Sequence, residues 1–561
     1  MLDSKTLSLG RPPILWLAGG VGALIWLMLP AGVTVMNDDF GYLGSVVETI
    51  QRGRPWTDEW LAPWSASLAV CSALLFKLTG SFQLAVQGLQ IAGVAGAAAL
   101  AFLLFRDRGL TPRAAAVAVF LGLSFPTLLW KSVEYTSLVV YLPCLLGAIW
   151  AAGRRRWVLF SVFFLTALAS RQSALAWLAL PLGAIVTAWR APTKNPAAWL
   201  QPVGVLAAAL IALVVLTKGM NHTQAQATAT DHPLAQVEWS SFQRNAIVGL
   251  GIGAVFAGLG ALLVGWHSIS SPTNQPRPGR TLLVLALGVG GFGLLNFLPR
   301  IYFEHAAFDG GPGQFYANLL IAVGMAGWIL PRFALRRDLV FAGLAALALV
   351  CLRADVWDYY YADVAIFALC SVGPELTAPT ANAVTPRWLG PALLLIFAGS
   401  QVAFACDLKC RVDRDYAACI VAEKALRSGR LDVVDLGAMP FGFIGWQLHH
   451  HYIAHEGKDA ADHGGYIRYL QPTAAEPRLS PMRFWRDSRS LQEIQDADAT
   501  RLVGSEVFRV GWLWHQRYTL LRSVADRTKS SAIPLDRSSY QPRRLPLTDA
   551  EWRTAIENPA R

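Results

Sequence analysis

What most constrains this chain is the recurrence of apolar runs with few charges, some of them short. They fall near 14–36, 83–105, 114–130, 135–152, 157–170, 172–189, 198–217, 245–266, 281–298, 315–331, 339–352, 362–378 and 388–405. A run of about 18 or more apolar residues reaches across a bilayer as a helix, and a soluble core needs far less apolar sequence. The runs therefore read as thirteen candidate spans of a mainly α polytopic membrane protein, in a chain that is 54% hydrophobic and 15% charged. The first run is too long for a signal-peptide core and is followed by no small-residue cleavage site, so it reads as a retained span.

The connections between the runs alternate in character. One set is basic: Arg106/Arg108/Arg113, Arg154–Arg156, Arg190/Lys194, Arg277/Arg280, Arg332/Arg336/Arg337 and Arg387. The other set carries acids and aromatics, in "NDDFGYL", "WKSVEY", "NHTQAQATATDHPLAQVEW", "PRIYFEHAAFDGGPG" and "RADVWDYYY". The positive-inside rule makes the basic set cytoplasmic and the other set external. The same distribution accounts for the pI of about 9.4 and removes nucleic acid as a partner, because the basic residues sit in short loops between spans. The N-terminus is then cytoplasmic and the tail external. One short run, 62–79, carries Lys77; counted as a full span it would invert every later loop, so it reads as a helix partly embedded on the outer side.

After Cys406 the composition turns charged, with Gly/Pro punctuation, and 407–561 reads as a soluble α/β domain behind a membrane module of 1–406. Of seven cysteines, Cys71, Cys144, Cys351 and Cys370 lie in apolar stretches and suit packing. Cys406, Cys410 and Cys419 follow the last span, and one pair among them is a candidate disulfide if that side is oxidising. His449, His450, His451, His455 and His463 form a polar patch in which His451 and His455 have the spacing of a helical metal pair, but no cysteine or fixed motif accompanies them. His222, Asp231 and His232, in the long loop, read as loop or lid.

The first outer loop, 37–82, concentrates the chemistry. Residues 37–53 have the pattern of an amphipathic interfacial helix, capped by Asn37 and ended by Gly53. Phe40, Leu43, Val46, Val47 and Ile50 share one side, while Asp39, Glu48, Thr49 and Arg52 occupy the remaining surface. Two adjacent carboxylates, Asp38 and Asp39, fall in the first turn, where free N–H groups and the helix dipole favour negative charge. Tyr42 lies four residues beyond Asp38 and shares its side. The bland alternative is a helix cap at an interface.

An acidic pair after the first span, "DDFGY", followed by an amphipathic loop and a helix ending in "LLFKLTGSF", resembles the GT-C glycosyltransferases. The likeness is to the protein O-mannosyltransferase and lipid A aminoarabinose-transferase branch, whose motif is Asp-Glu-x-x-Tyr; here Asp39 stands at the second acid. The apolar segment from Ser81 to Arg108 and Arg171 in "ALASRQSALAWL" fit the same pattern, which covers roughly the first 200 residues. The resemblance implies a polyprenyl-phosphate-linked sugar as donor, an undecaprenyl-type carrier in a bacterial inner membrane, and catalysis by the first acid.

Such a donor leaves as a phosphate and needs no strong general acid, whereas the acceptor hydroxyl needs a base as it attacks. One ionised carboxylate near the anomeric carbon suffices, unlike the paired carboxylates of glycosidases. Asp38 and Asp39 are the candidate catalytic residues. Tyr42, Arg52, Arg54, Glu59, Lys131, Glu134, Arg171 and Arg300 are candidate substrate-binding residues, and Lys218 and Arg353 are further outer-side cations for the developing phosphate charge. Against these stand plainer readings: Arg171 as a snorkelling anchor, and Lys131–Glu134 as a helix-surface pair worth little. No cofactor is required, and a divalent metal is an option that no motif calls for. The expected partners are membrane lipids, the lipid-linked donor, and a glycan, lipid or protein acceptor. A polysaccharide polymerase or ligase, and a transporter or flippase of lipid-linked oligosaccharide, are the alternatives. The latter is disfavoured because ionisable residues sit at span ends and no half-repeat is visible.

Overall fold

The computed structural model describes residues 11–35, 39–57, 65–107, 112–123, 126–190, 197–219, 337–352 and 543–558, four short strands between 467 and 523, and scattered helical positions in 239–249, 362–366 and 402–446. The described residues are mainly helical. The helices are α1 (Arg11–Met28), α2 (Asp39–Arg52), α3 (Ala66–Thr79), α4 (Leu89–Asp107), α5 (Pro112–Leu123), α6 (Pro126–Val133) and α7 (Leu138–Gly153). They continue with α8 (Trp157–Leu168), α9 (Ala179–Arg190), α10 (Ala197–Gly219), α11 (Arg337–Cys351) and α12 (Asp549–Glu557). A π turn, Leu84–Gly88, leads into α4, and a 3₁₀ stretch, Gln172–Leu178, leads into α9.

Among the described residues three helical stretches are long and apolar enough to cross a membrane: Leu84–Asp107, Gln172–Trp189 and Trp199–Leu216. Pro13–Met28, Ala66–Thr79, Leu138–Gly153, Trp157–Leu168 and Ala342–Cys351 are apolar but shorter. The expected runs at 281–298 and 315–331 lie outside the described residues, as do most positions of 245–266, 362–378 and 388–405. The run expected at 114–130 is two helices, α5 and α6, with Pro126 opening the second at the position where a missing N–H costs nothing. Large apolar side chains cover the outside of this bundle, including Trp189 at 86%, Ile211 at 65% and Leu210 at 63% exposure. An apolar exterior of this kind suits hydrocarbon surroundings and not water.

The bundle packs through small residues. Gly93 of α4 faces the start of α7, where any Cβ would collide with the Val139 carbonyl oxygen. That oxygen is the one left without a helical donor by Pro143, four residues on, so the helix distortion and the close approach occur together. Gly147 lies against the Phe163 ring in the same way, at 2.9 Å from an added Cβ.

Polar contacts sort the helix ends into two groups. At one end Arg154 grips Asp107 through two bonds of 2.7 and 2.8 Å, beside the Trp150 ring. At the other end α3 meets the turn after α8, through Ser67 N–H to Ala169 O at 3.1 Å and Ser67 Oγ to Ser170 Oγ. It also meets the connection before α7, through Ser72 Oγ to Tyr135 OH at 2.5 Å. Helix α3 thus packs across connections of one end.

The described residues between Val402 and Arg427 are helical. They lie on the end of α1: Lys409 Nζ donates to Leu29 O at 3.1 Å, and Cys419 Sγ approaches Val35 O at 3.5 Å. The strands form two antiparallel ladders, Glu506–Val510 with Gln516–Thr519 and Ile467–Arg468 with Arg522–Ser523. Helix α12 returns to the first loop. Trp552 stacks on Phe82 at 4.4 Å, Asp549 accepts from Gln83 N–H at 2.8 Å, and Gln51 Nε2 donates to Ala555 O and Ile556 O at 3.3 Å. Cys406 and Cys410 lie outside the described residues.

Candidate functional site

Helix α2 starts at Asp39 and ends before Gly53, whose φ of +64° is the left-handed turn that releases the chain. Thr49 closes that turn by donating to Trp56 O and accepting from Trp56 N–H at 3.0 Å. Phe40, Leu43, Val46 and Val47 are buried as their spacing predicts. The other side departs from expectation: Asp39 is 1% exposed and Thr49 is buried too, because α2 is covered on more than one side. Glu48 and Arg52 remain on the surface, paired at 2.7 Å.

One turn after Asp39, the Tyr42 hydroxyl lies 3.5 Å from Ser137 Oγ. Ser137 belongs to the connection 134–137, which joins four elements. Tyr135 reaches α3 through Ser72. Gln90 of α4, itself buried, donates to Val133 O at 2.7 Å and to Ser132 O at 3.4 Å, capping carbonyls at the end of α6. Thr136 Oγ1 donates to Lys131 O at 3.1 Å, and Tyr141 N–H bonds Ser137 O at 2.9 Å at the start of α7.

Within this junction Lys131 Nζ donates to Glu134 Oε2 at 2.5 Å, with the side chains 7% and 0% exposed. The plainer reading of Lys131–Glu134 as a helix-surface pair does not hold, because the pair is buried. The correction has a physical cause: the α6 end is roofed by α3 and α4, so the (i, i+3) spacing points inward. Two charges out of water are costly unless paired and further hydrogen-bonded. Glu134 Oε1 is buried and meets no donor among the described residues.

A second carboxylate lies close by in the chain's packing. Asp363 is 2% exposed, and its Oδ1 accepts from the Tyr141 hydroxyl and from Trp177 Nε1 at 2.9 Å. Ser173 Oγ donates to the Tyr141 hydroxyl at 3.1 Å. Arg171, half-buried between α8 and the 3₁₀ stretch, holds its guanidinium carbon 5.8 Å from the Tyr141 ring centre. Sequence reading passed over Asp363, although an acid just inside an apolar run was the available signal.

The structure thus links Tyr42, Lys131, Glu134 and Arg171 through the 134–141 segment, with Asp39 one turn before Tyr42 on α2. It does not bring Arg52 and Arg54 to that place. They lie at the far end of α2, roughly 20 Å along its axis from Asp39, with Arg52 at 3.7 Å and Arg54 at 5.9 Å from the Trp56 ring. Asp38, Glu59, Arg300 and Arg353 lie outside the described residues, as do the histidines of 449–463 and of 222–232. Lys218 lies near the end of α10. Among the described residues no three metal-ligating side chains converge.

Chemically, the junction offers buried carboxylates, a cation already balanced by one of them, hydroxyls on Tyr42 and Ser137, and a half-buried guanidinium over an aromatic ring. Such a set can orient a hydroxyl compound and meet an anionic group at one end of a helical bundle. No family model matches the chain, and no curated protein matches it.

Proposed function

We propose that the chain is an integral-membrane glycosyltransferase of the GT-C type. It moves a sugar from a polyprenyl-phosphate donor to an acceptor hydroxyl at the outer face of a bacterial inner membrane. In this reading thirteen spans leave the N-terminus cytoplasmic, and the tail forms a periplasmic α/β domain. The observation that carries the reading is the burial of Asp39 one turn from Tyr42, whose hydroxyl lies near Ser137 in the connection that begins with Glu134, the partner of Lys131. The first loop and the second connection so form one polar junction at the bundle end.

The acceptor oxygen attacks the anomeric carbon while the bond from that carbon to the phosphate oxygen breaks. Asp38 takes the acceptor proton, and polyprenyl phosphate departs with its negative charge. Asp39, the adjacent acid, has a separate role. It orients a substrate hydroxyl. Arg171, in the turn between α8 and the 3₁₀ stretch, faces the phosphate.

The test is sugar transfer from a polyprenyl-phosphate donor by purified wild type, Asp38→Asn and Asp39→Asn, with folding checked separately. Asp38→Asn is expected to lose about 10²–10⁴ in rate, the usual contribution of a general base. A folded Asp38→Asn protein that transfers at the wild-type rate overturns the assignment and leaves the aspartates as a helix cap. A second reading, a transporter of lipid-linked sugar, draws on the buried charges Lys131, Glu134 and Asp363. Movement of such a lipid across proteoliposomes without a new glycosidic bond selects it.

A further inference from the structure

We infer that Asp363 is a positioning residue for the anion-binding end of this site: its buried carboxylate fixes Tyr141 and Trp177, and through them the turn that presents Arg171. The inference rests on the reading above for the identity of the anion, the phosphate of a polyprenyl lipid, a diester in the donor and a monoester once the sugar has left.

Four side chains form a closed arrangement. Asp363 Oδ1 receives Tyr141 OH and Trp177 Nε1, and Tyr141 OH in turn receives Ser173 Oγ. The hydroxyl thus donates once and accepts once, which sets the direction of both bonds and holds the ring edge from two sides. Trp177 is fully buried and Asp363 nearly so, and a carboxylate is kept at such depth where donors satisfy it. Trp177 and Ser173 both belong to the 3₁₀ stretch that begins one residue after Arg171. Arg171 itself is extended, with φ −156° and ψ 135°. Its N–H bonds Ala167 O at 2.9 Å and its carbonyl accepts from Ala174 N–H at 3.2 Å. The backbone of Arg171 is therefore pinned on both sides, and its guanidinium lies over the ring that Asp363 orients. Asp363 touches no reacting atom in this scheme. It acts through Tyr141 and the 3₁₀ stretch.

The experiment compares the full chain with Asp363→Leu, Asp363→Asn, Arg171→Met and the double variant Asp363→Leu/Arg171→Met. It measures transfer kinetics, undecaprenyl phosphate binding in detergent micelles, and hydrogen exchange across 171–178. Asp363→Leu is expected to raise the donor KM about 10-fold, a coupling typical of residues sharing one network, with a smaller change in kcat. Asp363→Asn keeps an acceptor oxygen for both donors and should recover most of the loss. The double variant should be no worse than Arg171→Met alone. A folded Asp363→Leu protein with wild-type KM, or a double variant whose loss is the product of the two singles, overturns the inference. Should wild type neither transfer sugar nor bind undecaprenyl phosphate, the glycosyltransferase reading fails and the positioning role is decided by exchange. Faster exchange at 171–178 in Asp363→Leu, restored in Asp363→Asn, upholds it; unchanged exchange overturns it.

Discussion

Lys131 and Glu134 meet at 2.5 Å with both side chains sealed from solvent, at the place where α3 and α4 roof the end of α6. Breaking such a pair from one side leaves a buried charge without its counter-ion, at a cost of about 3–5 kcal/mol. Lys131→Met is therefore expected to lower the thermal unfolding midpoint in detergent strongly. Replacing both, as Lys131→Met/Glu134→Leu, removes the desolvation problem and should regain most of the loss. A single Lys131→Met variant that melts with the wild type would show the pair to be a surface contact after all.

The approach of α4 to α7 gives a second expectation. At Gly93 an added Cβ first meets the Val139 backbone oxygen and side chain, and backbone does not yield as a flexible side chain does. Gly93→Ala should destabilise by about 1–3 kcal/mol, as overpacking does. Gly20, on α1, faces open space, so Gly20→Ala serves as the control and should be neutral or slightly stabilising. Unfolding midpoints of the two variants side by side decide it; equal midpoints would contradict the packing described.

Much of this was readable from pattern alone, and where it was not the reasons are physical. The α2 spacing of Phe40, Leu43, Val46 and Val47 announced a buried side, and Gly53 announced the stop. The same spacing placed Asp39 at the surface, because a helix pattern records only one covering partner and α2 is covered on more than one side. The Lys131–Glu134 spacing was visible, but its burial depends on α3 and Gln90, which are distant in sequence. Asp363 meets Tyr141 and Trp177 across 222 and 186 residues, and no local window connects them. The return of α12 onto Phe82 is of the same kind.

That return leads to a third expectation. Trp552 is 2% exposed, stacked on Phe82 at 4.4 Å and flanked edge-on by Trp446 at 5.2 Å. Gly80, at φ +68°, ends α3 in the left-handed region and offers its carbonyl to the Arg553 guanidinium, but that contact is exposed. Burial should outweigh it. Trp552→Ala is expected to cost about 3–5 kcal/mol of docking and to make 543–558 sensitive to protease in the intact chain. Arg553→Ala should change the cleavage rate little. If Arg553→Ala releases the segment and Trp552→Ala does not, the polar contact holds it.

The docked segment should also respond to pH, through two glutamates that share Arg427. The Arg427 guanidinium bonds Glu551 at 2.8 Å and Glu423 at 2.9 Å, and these partners push its own pKa up, so it stays charged throughout. Glu551 is held below the ordinary value of 4.5, first by its bond to Arg427. Its contribution is present above 4.5 and is lost as pH falls through its lowered folded value. Glu423 is shifted the other way, because burial outweighs its bonds to Arg427 and Leu545 N–H. Its contribution is present below 4.5 and is lost as pH rises through its raised folded value. The two effects therefore occupy different windows, on either side of 4.5. Glu551 is 39% exposed at its side chain, so its effect should be modest and should shrink with added salt. Protease sensitivity of 543–558 as a function of pH reads both. Wild type should loosen on the acid side of 4.5, and Glu551→Gln should remove that limb. Glu423→Gln should instead flatten the profile on the side above 4.5. An acid limb that persists unchanged in Glu551→Gln would place its origin in some other group.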